Sequence, residues 1–138
     1  MPDLTELRTA ARAARERAYA PYSHFTVGAA VETADGRRFT GANVENASYG
    51  LSVCAERNAV FAAVLAGAKS IVAVAVSGPD GVTTPPCGAC RQVLAEFGAA
   101  GVPLSYARAD GGWTDTTLGA LLPDAFDAAA LEPVRGPA

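Results

Sequence analysis

Three cysteines and one glutamate carry the strongest chemical signal in this sequence: Cys54-Ala55-Glu56 in one stretch and Cys87-Gly88-Ala89-Cys90 in another. Each group opens a segment whose pattern predicts a helix, "CAERNAVFAAVLAG" and "CGACRQVLAEFG". A helix N-terminus has unpaired N–H groups and a partial positive charge, so it favours thiolate over thiol. Thiolate is also the form that binds zinc. A C-x-x-C turn lets two sulfurs reach one ion at roughly 2.3 Å, and a third ligand from the other helix fixes its position. Three protein ligands leave a tetrahedral ion one place for water, whose pKa falls to about 7 in catalytic zinc sites. A structural site would want a fourth protein ligand, and there is no fourth cysteine. The lone histidine, His24, stands elsewhere, beside a predicted strand. Glu56 is placed to reach such a water from the helix that supplies a ligand, and to take and pass on its proton.

On these residues alone other readings stay open. A C-x-x-C pair also suits a redox centre, a structural site or chance. A single cysteine at a helix start is more often a small buried hydrophobe. A first-turn glutamate is commonly a surface residue that suits the helix dipole. Asn43 and Glu45 in "NVEN" alternate along a strand end and so point to one side, but exposed polar groups there need no ligand. Phe25 reads as a core aromatic, and Arg57 and Arg91 read as solvated helix arginines.

The elements that must position these groups follow from periodicity. Residues 4–19 place Leu4, Leu7, Ala11, Ala14 and Ala18 at helical spacing, with Asp3 or Thr5 as cap and Pro21 as stop. "FTVGAAVETADGRRFTGANV" predicts two strands joined at Asp35-Gly36, a strong hairpin signal. Gly67 is a C-cap candidate for the Cys54 helix. "SIVAVAVSG" is apolar and β-branched throughout, as a central strand buried on both faces would be. "VPLSYAR" and "WTDTTL" predict further strands, followed by the short helix-like "LGALLPDAF" and a polar tail. Helices alternating with strands after an opening hairpin imply an α/β layer with a mixed sheet.

Composition narrows the function. A chain of 138 residues with half its residues apolar suits one globular domain over 1–138. The net charge of −3 and the mixed surface charge argue against a polyanion such as DNA as partner. The N-terminus lacks the apolar core of a signal peptide, and the longest apolar run is too short to cross a bilayer. An odd number of cysteines does not close a disulfide framework, so a reducing, cytoplasmic location is expected.

Cys54-Ala55-Glu56 followed by Pro86-Cys87-Gly88-Ala89-Cys90 matches the known signature of the zinc deaminases, with three zinc ligands and a glutamate that does not bind the metal. "APYSHFTVGAAV", "GANVENASYGLSVCAERNAV", "PPCGACRQVLAEFG" and "LLPDAF" extend the resemblance over most of residues 20–126. In these stretches the chain resembles the small homotetrameric cytidine deaminases. The resemblance implies a three-layer α/β fold with a mixed five-stranded sheet flanked by helices. It implies hydrolysis of cytidine and 2′-deoxycytidine to uridine and 2′-deoxyuridine with loss of ammonia, as in pyrimidine salvage. Zn2+ would be held by Cys54, Cys87 and Cys90, with zinc-bound hydroxide attacking C4 and Glu56 as the proton shuttle. Phe25, Asn43, Glu45 and the Ala55 backbone would bind the nucleoside, with Asn43 and Glu45 on the ribose 3′-hydroxyl. Arg57 would donate to ligand sulfurs. Ala47, Tyr49 and Phe126 would reach a neighbour's site across interfaces of a homotetramer.

Rival readings differ in testable ways. A structural zinc module has no use for Glu56. A nucleic-acid-editing deaminase would need a positively charged strand channel, and a 3′-phosphate would meet Glu45. A sibling enzyme acting on a modified nucleoside or nucleoside antibiotic would share the zinc chemistry.

Overall fold

Alternate residues of the central strands face two different helix layers. In the computed structural model, which describes residues 3–135, a five-stranded sheet runs in the order β2-β1-β3-β4-β5. The strands are β1 (Gly28–Thr33), β2 (Arg38–Ala42), β3 (Ile71–Ser77), β4 (Pro103–Ala107) and β5 (Trp113–Thr117). β3 and β4 pair parallel and every other neighbour antiparallel, which makes the sheet mixed, as expected. Ala30, Ala73 and Ala75 pack against Leu4, Leu7 and Ala11 at helix α1 (Thr5–Ala14). Ala29, Val31, Val74, Val76 and Leu104 form a core with Ala55, Ala59, Val60 and Ala63 of α2 (Ala55–Leu65) and Leu94 of α3 (Gly88–Phe97). β3 is buried on both faces because it lies between these layers. The result is a helix–sheet–helix sandwich.

Local chemistry explains where elements begin and end. Asp3 Oδ1 accepts from the Thr5 amide at 2.9 Å and starts α1. The helix is shorter than the expected 4–19: it tightens into one 3-10 turn over Arg15–Arg17. There the backbone is drawn off, since the Tyr19 amide donates to Asn43 O at 2.9 Å and Tyr19 O accepts from the Glu45 amide at 2.9 Å. The hairpin turns at Gly36, whose φ of 85° a side chain would resist. At the end of α2 the amides of Gly67 and Ala68 donate to Val64 O and Ala63 O, both at 3.0 Å, a paired C-terminal cap.

The C-terminal segment departs from expectation. Helix α4 covers only Leu118–Leu121, because Leu122 precedes Pro123 and takes a φ of −139° outside the helical region. The expected polar tail after Phe126 folds into a 3-10 turn (Ala128–Leu131) and a short helix α5 (Glu132–Arg135). Asp127 starts that turn by accepting from the Ala129 amide at 3.1 Å. No helix among the described residues is long and apolar enough to cross a membrane.

One close approach sets the position of α2. A Cβ on Gly41 of β2 would lie 2.4 Å from Ala59 N and 2.5 Å from Ala55 O. The strand therefore touches the helix backbone directly, next to the turn that carries Cys54 and Glu56. Gly41→Ala should force the two apart and cost about 1–3 kcal/mol, the usual range for overpacking. A thermal melt should show a clear fall in Tm, and an unchanged Tm would contradict this packing.

Candidate active site and metal centre

The sequence places cysteines where two helices start, and the fold sets those starts side by side. Cys54 is the N-cap of α2 and Cys87 the N-cap of α3, with Cys90 in the first turn of α3. The Sγ atoms of Cys54 and Cys87 are 3.7 Å apart, and those of Cys87 and Cys90 are 3.3 Å apart. All three lie within 4.8 Å of one another and all are free thiols. Zinc–sulfur bonds of roughly 2.3 Å at tetrahedral angles separate sulfurs by roughly 3.8 Å, so the cluster fits that ion with little adjustment. His24 is not part of the group; it sits in the loop before β1 at a φ of 58°.

The sulfurs are close enough to set one another's charge. Hydrogen bonding from Cys90, with help from Arg57 and Cys87, pulls the Cys54 thiol down to about 5 against the opposing effect of burial. Cys90 is pushed up, first by its hydrogen bond to Cys54 and then by burial. Arg57 Nη2 donates to Cys54 Sγ at 3.5 Å, while its buried Nε has no hydrogen-bond partner among the described residues. A guanidinium with a spare donor beside Cys54 can offset excess negative charge on the cluster. Three thiolates would outweigh a dication by one unit.

Glu56 lies in the first turn of α2 and is only 4% exposed. Burial pushes its carboxyl up to about 7, and the negative Cys54 sulfur pushes in the same direction. A carboxyl poised there can take and give a proton near neutral pH.

These groups open into a cleft of about 330 Å³ in which Cys54, Ala55, Glu56 and Cys87 meet Phe25, Asn43 and Glu45. The segment 43–45 reaches it just beyond β2, held on one side by Tyr19 and on the other by paired bonds between Val44 and Val53. Both side chains that alternation placed together do line the cleft. Each is already engaged on the protein side. Asn43 Nδ2 donates to Phe25 O at 2.8 Å and its Oδ1 accepts from the Val27 amide at 2.9 Å. Glu45 Oε1 accepts from the amides of Tyr22 (3.0 Å) and Ser23 (3.1 Å), and Oε2 accepts from the Ser23 hydroxyl. The Ser23 hydroxyl is the main reason the Glu45 carboxyl lies below its ordinary range.

Other expected residues fall elsewhere. Tyr49 borders an adjoining cavity of about 280 Å³ and meets Tyr22 edge to face at 6.0 Å. Ala47 is exposed in the bend before it. Phe126 stands beside α3, with its carbonyl accepting from Gln92 Nε2 at 2.8 Å. None of these three lines its own chain's cleft. Arg91 is not the solvated arginine expected. Its Nε donates to Pro86 O at 2.8 Å and its Nη1 to Leu121 O at 2.9 Å, which ties the Cys87 loop to the C-terminal segment. The sequence reading missed Ser23, Val27, Thr84 and Pro85, which also line the cleft. Ser23 and Val27 lie within "APYSHFTVGAAV", and Pro85 adjoins the C-x-x-C turn, so proximity to named residues was the available signal.

Residues 1–105 match the family model described as cytidine and deoxycytidylate deaminase zinc-binding region. The chain is 50% identical over 115 residues to a cytidine deaminase of Halalkalibacterium halodurans, covering 83% of this chain and 87% of that one. It is 44% identical over 124 residues to a cytidine deaminase of Sporosarcina psychrophila, covering 90% and 91%. A crystal structure of cytidine deaminase from Burkholderia pseudomallei superposes with a TM-score of 0.84 at 50% identity, covering 91% of this chain and all of that one.

Proposed function

From the premise that this chain belongs to the cytidine and deoxycytidylate deaminase family, we propose that it hydrolyses cytidine and 2′-deoxycytidine to uridine and 2′-deoxyuridine, releasing ammonia. The observation that carries this reading is the buried Glu56 beside the three sulfurs, in a cleft that also presents Asn43 and Glu45. Cys54, Cys87 and Cys90 hold zinc, the ion their spacing fits. When bound, zinc supplies a Lewis acid that makes water nucleophilic near neutral pH.

The chain's own residues do the rest. Glu56 takes the proton of the water that attacks C4 and delivers a proton to the ring N3. The new C4 hydroxyl then returns its proton to Glu56, which gives it to the departing nitrogen as the C4–amine bond breaks, leaving a C4 carbonyl and free ammonia. One carboxyl serves as base and then as acid, a role that burial supports by holding it near 7. Arg57 offsets the surplus charge of three thiolates by donating to Cys54. The Ala55 backbone, at the positive end of α2, and the Phe25 ring orient the pyrimidine.

The free hydrogen-bonding capacity of the cleft supports a ribose there. Asn43 Nδ2 has one N–H left after Phe25 O, and Glu45 Oε2 retains acceptor capacity after Ser23. One donor and one acceptor match one hydroxyl, which we assign to the sugar 3′ position. That contact serves cytidine and deoxycytidine alike. Purified protein should be offered cytidine, deoxycytidine, cytidine monophosphate, adenosine and a cytosine-containing oligonucleotide, with ultraviolet spectra reporting deamination. Turnover of the two nucleosides alone supports the reading, and turnover of the oligonucleotide in their place overturns it.

We read residues 1–138 as one catalytic domain, supported by a single sheet that both core clusters share. Free cysteines favour a reducing, cytoplasmic setting. A homotetramer with shared sites is supported by large apolar side chains left on the surface: Tyr49 is 75% exposed, Leu65 92% and Phe126 64%. Phe126 would cover the base in a neighbour's site, with Ala47 and Tyr49 also contributing across interfaces. Phe126→Ala should then raise KM roughly tenfold, the loss expected for one aromatic–base stack, without removing zinc. Sedimentation and activity over a dilution series check the assembly. A fully active monomer would contradict it.

A further inference from the structure

We propose that Ser23 is a positioning residue for nucleoside binding, one hydroxyl that aligns both the sugar acceptor Glu45 and the aromatic Phe25. The inference rests on the cytidine-binding reading above and adds to it an active role for Ser23.

Ser23 occupies the junction of two cavities, the cleft holding Glu56 and the adjoining one bordered by Tyr49, and Glu45 lines both with it. Its Oγ donates to Glu45 Oε2 and accepts from the Phe25 amide at 3.0 Å, while its own amide donates to Glu45 Oε1 at 3.1 Å. A single side chain thus links the carboxylate to the backbone that carries the aromatic ring. A hydroxyl can donate once and accept twice, so it meets both partners at once. His24, between Ser23 and Phe25, takes a φ of 58°. That left-handed step is unusual for a residue with a side chain, and the hydrogen bond from the Phe25 amide back to Ser23 Oγ closes over it.

Specificity follows from what Ser23 occupies. Glu45 Oε1 already takes two amides, and Oε2 is left with its capacity divided between Ser23 and one further donor. The serine proton therefore turns Glu45 into an acceptor for one hydroxyl in a fixed direction. Without it, Oε2 is free to rotate toward water, and the Phe25 amide loses its partner. Among the described residues the Ser23 side chain hydrogen-bonds only Glu45 and the Phe25 amide, not the sulfurs or Glu56. It therefore acts on binding and leaves the proton transfers alone.

The test compares uridine with 3′-deoxyuridine, as dissociation constants by calorimetry, and cytidine with 3′-deoxycytidine, as kcat and KM. The native protein should prefer the 3′-hydroxyl roughly ten- to a hundredfold, the range for a hydrogen bond to a charged group. Ser23→Ala should reduce that preference to within about threefold, raise KM for cytidine and leave kcat and zinc content near the native values. Ser23→Thr, which keeps the hydroxyl, should restore the preference. If Ser23→Ala keeps the native 3′-hydroxyl preference, whatever loss the two sugars share, the positioning of Glu45 by Ser23 is wrong even though the native enzyme discriminates. If the native protein shows no 3′-hydroxyl preference, the ribose assignment itself fails and this inference fails with it.

Discussion

Glu56→Gln should leave the protein folded and zinc-loaded while cytidine turnover falls by more than the 10²–10⁴-fold typical of general acid–base catalysis, on the order of 10⁴ or beyond. The expectation is large because, in the proposed mechanism, the same carboxyl acts at several points: it would receive the water proton, protonate N3, take the C4 hydroxyl proton and release it to the amine. Glutamine keeps the size and one acceptor of the side chain, and it sits in the same buried turn. Packing therefore changes little. The amide cannot take a proton near neutral pH, and that alone removes the shuttle. Metal analysis and circular dichroism would show an intact protein beside the kinetic loss. Activity within tenfold of the native level would mean that another group moves the proton.

Replacing Cys54, Cys87 or Cys90 by Ala should each reduce bound zinc from one per chain toward none and reduce activity with it. Losing the several kcal/mol a Lewis acid contributes corresponds to a rate loss on the order of 10³-fold or more. The three positions differ in burial: Cys90 is buried, Cys54 intermediate and Cys87 exposed. Cys90→Ala should therefore also cost the most stability, since it leaves a gap within the first turn of α3. His24→Ala serves as the control and should retain zinc, because its side chain is outside the sulfur cluster. A cysteine variant with native zinc content and native turnover would remove that residue from the ligand set.

How legible the site was in the sequence depends on how local its signals are. Cys54, Glu56, Cys87 and Cys90 stood out because spacing within a helix start is a short-range property, and the Asp35-Gly36 turn and the apolar β3 run are equally local. Asn43 and Glu45 were placed on one side by alternation alone, and they do share the cleft. What alternation could not show is that both are tied to residues 22–27, a contact fixed by Tyr19 pairing with the segment after β2. The same pairing ended α1 early, against a helical pattern that continued to Ala18. Arg91 was misread for a related reason: its partners, Pro86 O and Leu121 O, come together only when α4 docks beside α3. The turns after Phe126 escaped because a short polar and alanine-rich stretch has no apolar period to reveal it. Asp127 organises them through a single local hydrogen bond.

On this reading, zinc held by the three cysteines, with Glu56, makes this chain a cytidine deaminase. The most direct test is to measure ammonia released from cytidine as zinc is titrated into protein stripped by a chelator. Ammonia and uridine should form in equal amounts, at a rate that rises in proportion to bound zinc and levels off at one ion per chain. Turnover independent of zinc occupancy, or no ammonia from a chain carrying one zinc, would contradict the account.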